Sequence, residues 1–197
     1  MADIAFLLLI FFLVATTMDI DTGITRLLPP IPEKDMPEEE IKVKERNVLV
    51  VLINKDDQLM VEGQIMDIRE LRDKTIEFFS NPLDDQDLPE KEVVTVEFPA
   101  GQSSRYPGGT AEIMVSKGVV SLQNDRSTTY GKYLVVQNEL VAAVTELRNR
   151  FAMDNFGRNY DDLDPKKGID EAILDGINKV YKMNISEAEP KNIGGTN

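Results

Sequence analysis

The stretch ADIAFLLLIFFLVATTM, residues 2–18, decides how the rest of the chain is read. From Ile4 to Met18 only Thr16 and Thr17 interrupt an apolar run, and Asp19 ends it. At ~1.5 Å per residue that run makes a helix of roughly 22 Å, short of the ~30 Å hydrocarbon core of a bilayer. Phe6 to Leu13 leave no polar side, so such a helix needs apolar surroundings in every direction. A buried core helix is one reading, and it requires a globular partner on all faces. A cleaved signal peptide is another, but its positive start is replaced here by Asp3, with no Lys or Arg. The third is a membrane span whose cytoplasmic start precedes Met1. It places Asp3 inside the apolar slab, at a cost of about 2.5–3.5 kcal/mol on insertion scales. An intramembrane carboxylate that costly is most often a proton site, and this third reading is the expectation for residues 1–18.

Composition narrows the functions open to the remainder. The chain has 197 residues, 35 acidic against 22 basic, and a net charge of −13. Such a charge repels phosphate backbones and anionic lipid surfaces, so nucleic acid is excluded as a partner. There is no Cys and no His. Disulfides, thiolate nucleophiles and thiol or imidazole metal ligands are therefore absent, and no cofactor, metal site or catalytic residue is expected. Without imidazole the usual acyl-transfer and zinc chemistries lose their parts, and no nucleophile–base pair stands out, so the chain is not read as an enzyme.

Residues 19–41 read as an extended linker. PPIPEKDMPEEE, from Pro29 to Glu40, holds four prolines and a charge run that sustain neither a helix nor a central strand. Whether this segment is a passive spacer or a docking site is open from the residues alone. Residues 42–187 read as a compact α+β domain, one mixed sheet with helices mainly on one face. Asn47–Ile53 (NVLVVLI) is a strand buried on both faces, Lys55 to Asp57 a turn, and Gln58–Gln64 a second strand. Asp67 is an N-cap with Glu70 completing a capping box, and the helix over 68–79 ends at Asn81-Pro82. Glu92–Phe98 alternates as a strand, QSSRYPGGT is a loop, and residues 111–123 hold one or two more strands. A long helix over 130–153 presents Leu134, Val135, Asn138, Val141, Ala142 and Leu147 at helical spacing. Asp164 caps a weaker helix over 169–181 with Pro165 at its first position, and a short strand spans 183–185. Residues 188–197 are a polar tail.

Several motifs dissolve on inspection. Gly108-Gly109-Thr110 lacks the lysine and the spacing of a phosphate loop. Asp162-Leu163-Asp164 starts like a calcium loop, but Lys166 occupies a ligand position and Gly168 falls one place late.

With these residues in view, the chain resembles the ExbD/TolR biopolymer transport family. ADIAFLLLIFFLVATTM is similar to the family's single membrane helix, and the family's proton site maps onto Asp3. RLLPP, Arg26 to Pro30, resembles the short Leu-Pro motif just outside the membrane, with Leu27, Leu28 and Pro29 as candidate docking residues. VVSLQNDRSTTYGKYLVVQNEL (119–140) and NISEAEP (184–190) look like members from the Bacteroidetes lineage. Family members carry a cytoplasmic segment before the helix, so the chain is expected to be N-terminally truncated. The resemblance implies an inner-membrane motor subunit, N-terminus cytoplasmic and domain periplasmic. It implies a homodimer within an ExbB/TolQ-like membrane subunit, acting on a TonB- or TolA-like periplasm-spanning protein to drive TonB-dependent outer-membrane transport. A TolR-like role in envelope integrity, or an anchored periplasmic binding module, are the alternatives.

The linker reading has a direct check. If Leu27-Leu28-Pro29 docks on the motor subunit, Leu28→Ser lowers energy-dependent uptake at normal expression, whereas a passive spacer leaves uptake unchanged.

Overall fold

The structure is a computed structural model that describes residues 2–16 and 45–188. The linker residues Leu27, Leu28 and Pro29 lie outside the described residues, as does the tail from 189 onward. The chain divides into two compact units, Met1–Ile41 and Lys42–Asn197. In the first, α1 spans Ala2–Thr16 and begins with Asp3 in its first turn.

The second unit is α+β. Its main sheet has five strands in the order β3-β2-β1-β6-β7, formed by Gln64–Ile65, Leu59–Val61, Val48–Ile53, Val119–Asn124 and Ile185–Glu187. The sheet is mixed: β1 runs antiparallel to β2 but parallel to β6, and β6 runs parallel to β7. In register, Val51 faces Val61 on one side and Leu122 on the other. Between β1 and β2, the Asn54 side-chain oxygen accepts the Asp56 and Gln58 N–H groups at 3.0 and 2.8 Å, closing an Asx-type turn. Between β2 and β3, Glu62 and Gly63 both take positive φ, the geometry of a two-residue hairpin turn that suits the strands' twist. The expected single strand over 58–64 is therefore a hairpin.

Two helices cover one face of this sheet. In β1, Leu49, Val51 and Ile53 are fully buried while Val50 between them is 36% exposed. The expectation of burial on both faces is thus corrected: α2 (Ile68–Ser80) and α3 (Tyr130–Phe156) pack with the strands into one core, and the opposite face stays open. The cap of α2 is as expected at Asp67, whose carboxylate accepts the Arg69 N–H at 2.9 Å. The partner that reaches back to Asp67 is the Arg69 side chain, at 3.1 Å, rather than Glu70, so the box is not the one expected. Asn81 ends the helix in the left-handed region, φ 35°. Its buried amide then holds the following loop, donating to the Asp85 and Pro89 carbonyls at 3.1 Å each.

A second sheet was not anticipated. Strands β4 (Lys91–Glu97) and β5 (Thr110–Ser116) pair antiparallel as a hairpin of their own. They pack with the end of α3 and with α4 (Gly168–Val180) around a second core that contains Val96, Phe98, Leu163, Ile173 and Ile177. The ring of Phe98 lies 5.2 Å from that of Phe156 and 6.2 Å from that of Phe151. Gly109, φ 83°, lets the hairpin loop close on this residue, since a Cβ there would stand 2.7 Å from the Phe98 carbonyl oxygen.

Two helical expectations change. The buried stripe of α3 is Val136, Leu140, Ala143, Val144, Leu147 and Ala152; of the residues expected on the stripe only Leu147 is buried, while Val135 and Val141 are exposed. Apolar residues surround much of this helix, so spacing alone selects no single stripe; the sheet and α2 select it. Asp164 does not cap α4. It accepts the Lys166 N–H at 3.0 Å in a turn, and α4 begins four residues later with Lys167 as a cap without a side-chain bond.

Gly176 sits mid-helix in α4, where glycine costs roughly 1 kcal/mol relative to alanine. A Cβ there would lie 2.3 Å from the Phe98 ring, so the aromatic packing occupies its space. Gly176→Val should destabilise the domain by about 1–3 kcal/mol through overpacking, read as a Tm lowered by roughly 2–4 °C per kcal/mol in thermal unfolding.

Candidate functional site

Among the described helices α1 is the most apolar. The side chains of Ile4, Phe6, Leu7, Leu8, Leu9 and Phe11 are more than half exposed, and they point in all directions around the axis. A helix apolar all round is a membrane or deep-core element by pattern. Its 15 residues correspond to roughly 22 Å. Among the described residues no helix is long and apolar enough to cross a membrane. Asp3 is the acidic residue of its first turn and is exposed. Leu27, Leu28 and Pro29 fall outside the described residues.

In the second unit the polar side chains act on the scaffold. Asp57, at φ 58° in the β1–β2 turn, reaches 72 residues ahead to the start of α3. Its carboxylate accepts the Thr129 N–H at 2.9 Å and the Thr129 hydroxyl at 2.8 Å, and these bonds, the backbone one first, lower its pKa. Nothing in the local sequence announces this contact beyond a turn at one end and a capping threonine at the other.

Asp170, on the first turn of α4, is buried and pairs with Arg158 through two bonds of 2.7 and 3.1 Å. It also accepts the Asp164 N–H at 3.2 Å. The pair clamps the connection between α3 and α4. Between these anchors, Tyr160 is held by α3: its N–H donates to Asn149 at 2.8 Å, and the Arg148 guanidinium lies 5.3 Å over its ring. Among the described residues no group of acidic side chains is arranged to hold a metal ion.

The chain thus joins an apolar helix that carries a carboxylate to a small α+β domain with a mixed five-stranded sheet. The family model described as biopolymer transport protein ExbD/TolR matches residues 1–149. The chain belongs to that family. A search of curated proteins found no match. The family is transport-associated and non-enzymatic, and its members are generally anchored in the inner membrane. The matched residues end within α3, so α4 and β7 lie beyond them.

The Arg158–Asp170 clamp gives a pH signature. Hydrogen bonding to Arg158, then to the Asp164 N–H, lowers the Asp170 pKa from 3.8 to about 2. A depressed carboxylate pKa stabilises the fold at pH above the unfolded value, and that contribution fades as pH falls from about 4 toward about 2. Asp170→Asn should therefore lower Tm at pH 7, and its deficit against the parent should shrink as thermal scans approach pH 2.

Proposed function

We propose that this chain is the proton-coupled energy-transduction subunit of an inner-membrane motor that drives TonB-dependent outer-membrane transport. In this reading α1 is its membrane segment, with the N-terminal side in the cytoplasm. Residues 19–41 are the extended linker, in which Leu27, Leu28 and Pro29 dock on the motor, and 42–187 are the periplasmic domain. Two copies work within an ExbB/TolQ-like membrane subunit and act on a TonB- or TolA-like protein.

One observation carries the reading: the first turn of a helix apolar on every side holds a carboxylate, Asp3, in a chain of the ExbD/TolR family. A charge moved across ~150 mV releases about 3.5 kcal/mol. That is comparable to the cost of an ionised aspartate at the centre of a membrane helix, about 2.5–3.5 kcal/mol on insertion scales. Protonation can thus decide whether the helix turns past an apolar wall or stays against a polar one. The carboxylate must gain and lose a proton for this to work, and an amide of nearly the same shape cannot.

Asp3→Asn should leave expression and assembly unchanged and abolish energy-dependent uptake of a receptor-dependent iron complex in complemented cells. Asp3→Glu should retain part of it. Full uptake by the Asn variant at matched protein levels would favour an anchored binding module instead.

A further inference from the structure

The connection between α3 and α4 and the outer side of α4 border an open surface cavity of about 440 Å³. Tyr160, Leu163 and Leu174 give it an apolar wall. Asp161, Glu171 and Asp175 supply every charge lining it, and none of the lining residues is cationic. Glu171 and Asp175 are exposed on consecutive turns of α4, and neither makes an ion pair or a side-chain hydrogen bond among the described residues. Asp161 is fixed by Asn149, whose amide donates to its carboxylate at 2.9 Å. The Tyr160 hydroxyl donates to Asn178 at 2.9 Å. Tyr160 and Asp161 are thus held in place before any ligand arrives, which lowers the ordering cost of binding at that part of the wall. A second cavity of about 440 Å³ shares Asp175 and is lined by Glu97 and Lys179 as well, so the purely acidic lining belongs to the first.

We propose that this cavity docks a basic segment of a partner protein, a lysine or arginine set beside an aliphatic residue. Charge complementarity chooses the occupant. The three carboxylates meet the ammonium or guanidinium, and the alkyl stem and its aliphatic neighbour cover the half-buried Tyr160 and Leu174. The chain's net charge of −13 draws the same partner at long range. An acidic or neutral polar segment gains nothing at this wall. The site belongs to the part of the chain beyond the residues matched by the family, and it does not depend on the role proposed for Asp3.

The test uses the full chain in zwitterionic lipid nanodiscs, with empty discs as the blank. The probe is the fluorescent peptide glycine–leucine–lysine–glycine–arginine–leucine–glycine, capped at both ends and followed by anisotropy. Binding should weaken with added salt, as expected for an exposed ionic contact. It should fall about tenfold or more in Asp175→Lys and in Glu171→Lys, because reversal puts a like charge against the ligand. Asp73→Lys makes the same change in net charge on the exposed side of α2, and should alter affinity by roughly twofold or less. Replacing both peptide leucines by serine should also weaken binding, and replacing its basic residues by glutamate should abolish it. No binding by the parent chain overturns the proposal. So does a loss in Asp73→Lys equal to that in Asp175→Lys, which assigns the attraction to bulk charge. Unchanged affinity in both α4 variants moves the peptide to another surface and overturns it as well. None of these outcomes bears on uptake by the Asp3 variants.

Discussion

A single helix, α3, is shared between two apolar cores, and the domain is organised by that sharing. Its first five turns bury Val136, Leu140, Val144 and Leu147 against α2 and the five-stranded sheet. Its last turns carry Phe151, Ala152 and Phe156 into the second core with the β4–β5 hairpin and α4. Each core is small, and a small core stabilises weakly on its own. Rigid continuity through 27 residues of helix makes them one unit, because neither can loosen without disturbing the helix the other packs on. The contacts at the helix ends serve the same purpose. Asp57 holds the start of α3 to the β1–β2 turn, and the Arg158–Asp170 pair fixes the turn that follows its end.

The division of labour along the chain follows from its solvents. Residues Ile4 to Phe11 present apolar surface outward, and water is a poor medium for that surface. The domain beyond Lys42 buries its apolar residues and exposes an acidic surface suited to water. In the proposed motor these two parts meet different fields: the helix feels the transmembrane potential, whereas the domain meets partners through charge and shape. The α4 cavity fits that second role, since its acidic lining acts on a partner through the aqueous phase and is screened by salt.

Local chemistry explains which elements were legible. Asp67 as a cap, Asn81 as a stop and the β-branched run of β1 are features that a few neighbouring residues settle, and the structure holds them where the pattern places them. The misreadings share a cause. The buried stripe of α3 could not be chosen from a helix with apolar residues on several sides, and the open face of β1 could not be known before the layers were counted. Asp164-Pro165 has the composition of a helix start, but the longer-range bond from the Asp164 N–H to Asp170 draws it into a turn. The Asp57–Thr129 contact links residues 72 apart, beyond the reach of any pattern.

By itself, then, the sequence determined the apolar helix with its carboxylate, the absence of thiol and imidazole chemistry, the α+β content and the family resemblance. Each of these rests on residue type or short-range period. The tertiary structure alone decided that the strands divide into two sheets, that α3 serves both cores, and that Tyr160, Glu171 and Asp175 line one cavity. Those arrangements come from competition among distant apolar surfaces for the same helix, and that competition is settled only when the chain packs.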